Sequence, residues 1–225
     1  LDAGSRRLVL LCRNEEGYRN LSFMVSKGFV EGFYIKPRID MDLLRQYSGG
    51  LIALSACLAG EIPKRLVNGN YEGAKAYALE MREIFGEDGF YLELQDHGIR
   101  NQAVVNQGLL RLHEETGIPL VCTNDCHYLA PEDAESHDVL LCIQTGKLVE
   151  DEKRMRYEPR NFYLRSTQEM EALFGQYPEA IANTERVAEL CSLDFTFGKY
   201  HLPEFRVPEG ETAQTYIRKL CEEGF

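Results

Sequence analysis

Short apolar runs alternate with longer amphipathic stretches through the first half of the chain. Four runs are almost wholly apolar and end in glycine, proline or polar residues, which is typical of strands buried on both faces. We predict strands over residues 8–11, 51–54, 90–94 and 119–123. Because helical stretches separate them, the pattern favours an α/β fold with a largely parallel sheet or barrel.

Residues suited to cap helices stand at the start of the intervening stretches. The candidate N-caps are Asn14, Asp40 and Asn70, and the candidate C-terminal stops are Gly28, Gly49, Gly50, Gly86 and Gly117. In the first helix, Tyr18, Leu21 and Val25 share one face. We therefore predict that this face is buried and that the helix ends at Gly28.

The chain becomes mainly helical after residue 130. Residues 145–160 are polar and are predicted to form a long loop, and residues 199–207 are predicted to form an extended aromatic tail. Helix starts are indicated by Pro131, by the capping box of Ser166 and Glu169, by Pro178 and by Thr212. These helices are expected to lie peripheral to the sheet.

The charge of the chain argues against a primary role in holding nucleic acid. The 225 residues carry a net charge of -11, whereas phosphate contacts require Lys and Arg. Local basic candidates are Lys64, Arg65, Lys153, Arg154 and Arg156, for which a solvated surface is the favoured interpretation. DNA would therefore be held by other parts of a larger protein.

Cysteine use and hydropathy indicate a cytoplasmic protein. The seven cysteines are odd in number, several lie in apolar runs, and no CxxC pair occurs, which is typical of reduced thiols. No apolar run approaches the roughly 20 residues that a membrane span needs. We therefore expect no membrane contact.

The most informative polar run, TNDCHYL at residues 123–129, directly follows a predicted strand. Side chains of extended chain alternate, so Asp125 and His127 should project to the same side, about 7 Å apart along the backbone. A carboxylate and an imidazole can share a divalent metal ion at the carboxyl end of a strand. The alternative is that Asp125 caps a turn and His127 is an ordinary buried histidine.

Other polar residues near strand ends are weaker candidates. Cys57 follows the second strand and could bind zinc, or could be a buried structural thiol. A zinc site of Cys122, Cys126 and His127 would need a sharp turn. Further candidates at the end of the third strand are Glu93, Gln95 and His97, which share one side, whereas His113, His137 and His201 are expected to be structural.

Eight runs of the chain resemble the alpha subunits of bacterial DNA polymerase III, and they follow the order of that family. They are residues 9–21, 31–40, 50–63, 90–98, 123–128, 137–147, 162–166 and 198–203. The resemblance implies a PHP (polymerase and histidinol phosphatase) domain, an incomplete, distorted (β/α)7 barrel followed by peripheral helices. Residues 1–145 would form the barrel portion without its first strands, and residues 146–225 the polar loop, the helices and the connection toward the polymerase core.

The resemblance also implies a partial metal site. Cys57, Asp125 and His127 match the later metal ligands of the family, whereas Arg7 falls where metal-binding members carry a histidine. An arginine cannot be deprotonated to bind a metal. Zinc or manganese would be expected at this site, and magnesium at a polymerase site whose catalytic carboxylates are absent from this chain.

The resemblance implies a fragment of the DNA-synthesising subunit, with DNA-directed DNA polymerase activity in the parent protein and none in the fragment. Implied partners are the sliding clamp, the clamp loader, a proofreading subunit and, through the rest of the parent, DNA. A free-standing, metal-dependent PHP phosphoesterase is the alternative. Its barrel should end near residue 145, whereas polymerase-like sequence continues to residue 225.

Overall fold

A computed structural model describes residues 6–200 and 202–225; His201 and its expected structural role lie outside the described residues. The described chain forms two compact units, one up to residue 193 and one from residue 194 to residue 225. The first unit contains the sheet and the first eight α-helices. The second contains an extended segment and the last helix.

A four-stranded sheet forms the centre of the first unit. Its strands, in spatial order, are β1 (Val9–Cys12), β2 (Leu51–Leu54), β3 (Phe90–Leu94) and β4 (Leu120–Cys122). β2, β3 and β4 are parallel, with helices in each crossover. The predicted α/β class is confirmed, and within the described residues the sheet is open, as in part of a PHP-type barrel.

β1 differs from the prediction. It was expected to be a buried member of a parallel set, but it runs antiparallel to β2, pairing Val9 with Leu54 and Cys12 with Leu51. Its four residues are only partly buried. Its partial burial follows from its position at the edge of the sheet, where β2 is its only partner strand among the described residues.

Nine α-helices surround or follow the sheet in the described residues. They are α1 (Glu15–Val30), α2 (Met41–Gln46), α3 (Glu61–Val67), α4 (Tyr71–Phe85), α5 (Arg100–Thr116), α6 (Ala134–Thr145), α7 (Thr167–Phe174), α8 (Pro178–Leu190) and α9 (Ala213–Gly224). The side chains of Asn14, Asp40 and Asn70 accept backbone N–H groups at the starts of α1, α2 and α4, as predicted. The capping box of Ser166 and Glu169 is also confirmed.

The prediction for α1 was wrong in its end and its buried face. The helix continues past Gly28 to Val30, and Tyr18 and Val25 are 43% and 49% exposed. The buried residues are Gly17, Met24 and Gly28. A Cβ atom on Gly17 would lie 1.9 Å from the carbonyl oxygen of Gly50, so the absence of a side chain at Gly17 lets α1 lie close to the residue before β2.

Two hydrophobic clusters cover the two faces of the sheet. The larger contains alternate strand residues such as Leu92 and Leu120 together with buried residues of α1 to α5, α7 and α8. The smaller contains Tyr91 and Val121, packed against Val187 of α8. α8 also binds β4 directly, because the side-chain amide of Asn183 donates to the carbonyl oxygen of Leu120 over 2.7 Å.

Candidate functional site

The carboxyl ends of the three parallel strands lie at one edge of the sheet. Residues 55–57 follow β2, residues 95–98 follow β3, and residues 123–127 follow β4. Parallel strands bring such segments together whatever their separation in sequence, and this is where sites form in α/β proteins. We call this region the strand-end site.

Glu93 joins the three strand ends through its buried carboxylate. It is 5% exposed. One carboxylate oxygen accepts the backbone N–H of Ala56 over 2.9 Å, and the other accepts the amide of Gln95 over 3.0 Å and the hydroxyl of Thr123. The backbone N–H of Glu93 donates to the hydroxyl of Ser55 over 2.8 Å. The carboxylate therefore connects β2, β3 and β4 at the floor of the site.

Burial raises the pKa of Glu93 above its ordinary value of 4.5. The hydrogen bonds from Thr123, Gln95 and Ala56 act in the opposite direction, and the nearby negative charge of Asp125 adds to the increase. Because desolvation is the largest cause, the low-dielectric surroundings outweigh the donors. Glu93 therefore has a structural position beneath the site. These contacts do not support a role for it as a metal ligand.

Asp125 and His127 lie side by side, as the alternation of extended chain predicted. Nε2 of His127 is 3.5 Å from a carboxylate oxygen of Asp125. That nitrogen is buried and has no hydrogen-bond partner in the described part of the chain. A buried imidazole nitrogen without a partner beside a carboxylate oxygen suits a shared divalent cation.

A three-residue metal site is not assembled. Among residues 6–200 and 202–225, no three His, Cys, Asp or Glu side chains are grouped closely enough to hold a metal ion. Cys57 is a free, partly buried thiol in the turn after β2. The metal role of Cys57, Asp125 and His127 therefore stays a prediction, and Asp125 with His127 is the part of it that the geometry fits.

Arg7 lies at the same edge of the sheet as the site. Its backbone N–H donates to the carbonyl oxygen of Ala59 over 3.1 Å, and the residue forms a parallel bridge with Gly60. The backbone of Arg7 therefore lies next to the turn that carries Cys57, and an arginine cannot be deprotonated to bind a metal there.

The alternative zinc site of Cys122, Cys126 and His127 does not form in the described residues. Cys122 lies in the larger hydrophobic cluster, where burial raises the pKa of its thiol, and Cys126 is exposed. The strand periodicity that brings Asp125 and His127 together thus directs Cys122 to the helix-covered face.

His97 is fully buried, and Gln102 fixes its orientation. The side-chain carbonyl of Gln102 accepts the backbone N–H of His97 over 2.8 Å, and its amide nitrogen lies 2.9 Å from Nδ1 of the ring. Since that amide can only donate, Nδ1 accepts and Nε2 carries the proton. Burial lowers the pKa of His97, so the ring is neutral at pH 7. Its Nε2 is buried and, like that of His127, has no hydrogen-bond partner among the described residues.

An aromatic cover over the site comes from the predicted polar loop of residues 145–160 and from the residues directly after it. The rings of Tyr157 and Phe162 lie 4.4 Å and 5.5 Å from the ring of His127, and Phe162 stacks on His97 at 4.4 Å. His137 of α6, expected to be structural, lies 5.4 Å from His127. These neighbours cover most of the His127 side chain, which is 25% exposed.

Backbone pairing holds this cover in place. The N–H of His127 donates to the carbonyl oxygen of Phe162 over 2.8 Å, and the N–H of Leu164 donates to that of Tyr128 over 3.1 Å. The guanidinium of Arg165 donates to the carbonyl oxygen of Asp96 over 2.7 Å. The end of the long loop therefore packs along the segment that carries Asp125 and His127, a contact without a local sequence signal.

The first part of the chain is similar to a known family of domains. Residues 2–97 match the family model of the PHP domain. The open α/β sheet with polar strand ends agrees with part of such a domain, and this stretch of the chain is similar to PHP domains. Asp125 and His127 lie beyond the matched stretch.

The resemblance to the alpha subunit of DNA polymerase III is also confirmed. The chain is 45% identical to that subunit of Borreliella burgdorferi over 223 residues, 98% of this chain and 19% of the relative. It is 42% identical to that of Treponema pallidum (96% and 19%) and 40% identical to that of Thermus aquaticus (98% and 18%). The chain spans about a fifth of the length of these curated relatives. No helix in the described residues is long and apolar enough to cross a membrane.

Proposed function

We propose that this chain is a segment of a replicative DNA polymerase, the alpha subunit of bacterial DNA polymerase III. The observation that carries the proposal is identity of 40–45% to three such subunits along almost the whole chain. The parent protein would copy DNA in the cytoplasm, with magnesium at carboxylates elsewhere in its sequence. Its partners would be the sliding clamp, the clamp loader and a proofreading subunit.

Within that protein, the segment is proposed to have a structural and partial metal-binding role. Asp125 and His127 would hold a divalent ion, zinc or manganese, and Cys57 would contribute if its turn moved toward them. Such an ion would supply a Lewis acid for a phosphate oxygen. The chain's own part is to position a carboxylate and an imidazole nitrogen, with Glu93 beneath them and the rings of Tyr157 and Phe162 beside His127.

A free-standing phosphoesterase is the less favoured alternative. Polymerase-like sequence extends through residues 146–225, and the curated relatives that match are polymerase subunits. Among the described residues no complete metal-ligand group is formed. Both observations favour a segment that has no catalytic activity of its own.

We expect the chain alone to show neither DNA synthesis nor metal-dependent nuclease activity, and a longer protein carrying it to extend a primer. Primer-extension and nuclease assays on both proteins, with Mn²⁺ and Mg²⁺, measure this. In the longer protein, Asp125→Ala is expected to retain polymerase activity within about twofold, since the residue lies outside the polymerase site. A nuclease rate of the isolated chain that Asp125→Ala abolishes would favour the phosphoesterase instead.

Mn²⁺ binding tests the metal role separately. Isothermal titration with Mn²⁺, a cation that prefers oxygen and imidazole ligands to thiolates, avoids most binding to the seven cysteines. Asp125→Asn and His127→Gln are each expected to weaken binding at least about tenfold, because each removes a ligand. His113→Gln on α5 is the matched control and should leave the affinity unchanged. Equal Mn²⁺ affinities of the unsubstituted chain and all three variants would exclude a metal site at Asp125 and His127.

A further inference from the structure

A polar cavity of about 170 Å³ lies next to the strand-end site, between α6 and the segment from residue 149 to residue 160. Its wall includes His137 and Tyr157, two of the rings that lie against His127. The cavity is large enough for a group of several non-hydrogen atoms. It therefore offers a second binding volume beside the candidate metal ligands.

One of the three arginines in the cavity wall is structural. Arg154 has a side chain only 2% exposed and donates to both carboxylate oxygens of Asp138 over 2.6 Å. Its hydrogen bond also lowers the pKa of Asp138, so the pair is fully ionised at neutral pH. This bidentate pair fastens the loop to α6 and leaves no net charge.

The other two arginines have guanidinium N–H groups that make no short hydrogen bond within the described residues. Arg156 makes only long hydrogen bonds of 3.4 Å, to the carbonyl oxygens of Val149 and Asp151. Arg160 makes no hydrogen bond or ion pair within residues 6–200 and 202–225. With Glu158 as the remaining ionised group of the wall, the cavity has an excess of positive charge on a chain of net charge -11.

Neutral donors and aromatic surface complete the wall. The hydroxyl of Tyr128 accepts the backbone N–H of Phe162 over 3.2 Å and keeps its own hydrogen to donate. The imidazole of His137 adds a further hydrogen-bonding group to the wall. The rings of Tyr128 and Tyr157 provide flat apolar surface, on which a nucleobase can stack.

We propose that this cavity binds a phosphate group of a nucleotide or of a single DNA strand, held by the guanidinium groups of Arg156 and Arg160. Two guanidinium groups match the charge and the several acceptor oxygens of a phosphate better than the single charge of a carboxylate. No metal ion takes part, so the site is independent of the role proposed for Asp125 and His127.

Fluorescence anisotropy with a labelled, 5′-phosphorylated single-stranded oligodeoxynucleotide tests the site. The titration is done at low salt in EDTA with the whole chain. The double variant Arg156→Gln with Arg160→Gln is expected to lose about 100-fold in affinity, about tenfold for each charged hydrogen-bonding group. The control double variant, Arg19→Gln with Arg218→Gln, removes the same charge from side chains that are 74% and 83% exposed and should lose about twofold or less. Thermal melts confirm that both variants are folded.

Competition identifies the source of the phosphate. Displacement by a deoxynucleoside 5′-monophosphate supports a nucleotide site, and displacement only by an unlabelled strand supports a contact to the DNA backbone. The proposal is overturned if neither binds in EDTA, or if the control variant loses as much affinity as the cavity variant. It is equally overturned if binding appears only when Mn²⁺ replaces EDTA, and that result would leave the metal role intact.

Discussion

Replacing Glu93 by alanine is expected to lower the free energy of unfolding by about 3 kcal/mol, because buried donors left without an acceptor cost about 1–3 kcal/mol each. The variant would leave the N–H of Ala56, the amide of Gln95 and the hydroxyl of Thr123 without their common acceptor. Relief from burying a carboxylate offsets part of this cost. Urea unfolding followed by circular dichroism measures the difference.

Two further variants test whether loss of the shared acceptor causes the stability loss of Glu93→Ala. Glu87→Ala removes a carboxylate that is 80% exposed and should change stability by less than about 0.5 kcal/mol. Glu93→Gln keeps one acceptor oxygen, so its loss in free energy of unfolding should lie between the losses of Glu93→Ala and Glu87→Ala. If Glu93→Ala were as stable as Glu87→Ala, the carboxylate would not be what joins the three strand ends.

The pH dependence of stability offers a separate test of Glu93. Its folded-state pKa is raised above the ordinary 4.5, so between these two values the folded chain binds more protons than the unfolded chain. Stability from this group is therefore present below pH 4.5 and is lost as pH rises through the folded-state pKa. As pH rises through that window, the unsubstituted chain should lose stability relative to the Glu93→Gln variant. A difference that stays constant with pH would contradict the raised pKa.

Gly60→Ala is expected to cost about 2–3 kcal/mol, as overpacking against atoms that cannot move does. A Cβ atom at residue 60 would lie 2.2 Å from the carbonyl oxygen of Ser55, which is backbone. The N–H of Gly60 also closes the turn by donating to the carbonyl oxygen of Cys57 over 2.8 Å. The substitution would therefore displace the turn that carries the candidate thiol.

Gly108→Ala is the matched control for Gly60→Ala. Its Cβ atom would meet only side-chain atoms of Leu66, at 2.8 Å, and these can rotate away. The gain in helix propensity of about 1 kcal/mol offsets the remaining crowding, so a change near zero is expected. Urea unfolding compares the two variants, and alkylation of Cys57 followed by peptide mass spectrometry should be faster only in Gly60→Ala. Equal stability losses in the two variants would contradict a rigid turn at Gly60.

Local periodicity was sufficient to predict most helices and strands and the proximity of Asp125 and His127. Apolar runs placed β2, β3 and β4, and side-chain alternation placed Asp125 beside His127. Cap residues placed the starts of most helices because capping is a local hydrogen bond. α3 was missed, since its seven residues include a proline and give too short a pattern.

The remaining features depend on contacts between distant parts of the chain. The buried face of α1 is set by Gly17, whose lack of a side chain lets the helix approach Gly50, and hydrophobicity alone does not indicate this. Tyr157 and Phe162 reach His127 only because the loop after α6 folds back over the strand ends. No pattern within the loop predicts that return.

Anomalous X-ray diffraction from crystals of the chain soaked in zinc tests the central claim most directly, namely that Asp125 and His127 share a divalent ion at the strand ends. The account predicts a peak about 2 Å from Nε2 of His127 and about 2 Å from a carboxylate oxygen of Asp125. Peaks confined to other parts of the chain, with no metal bound to either side chain, would contradict it.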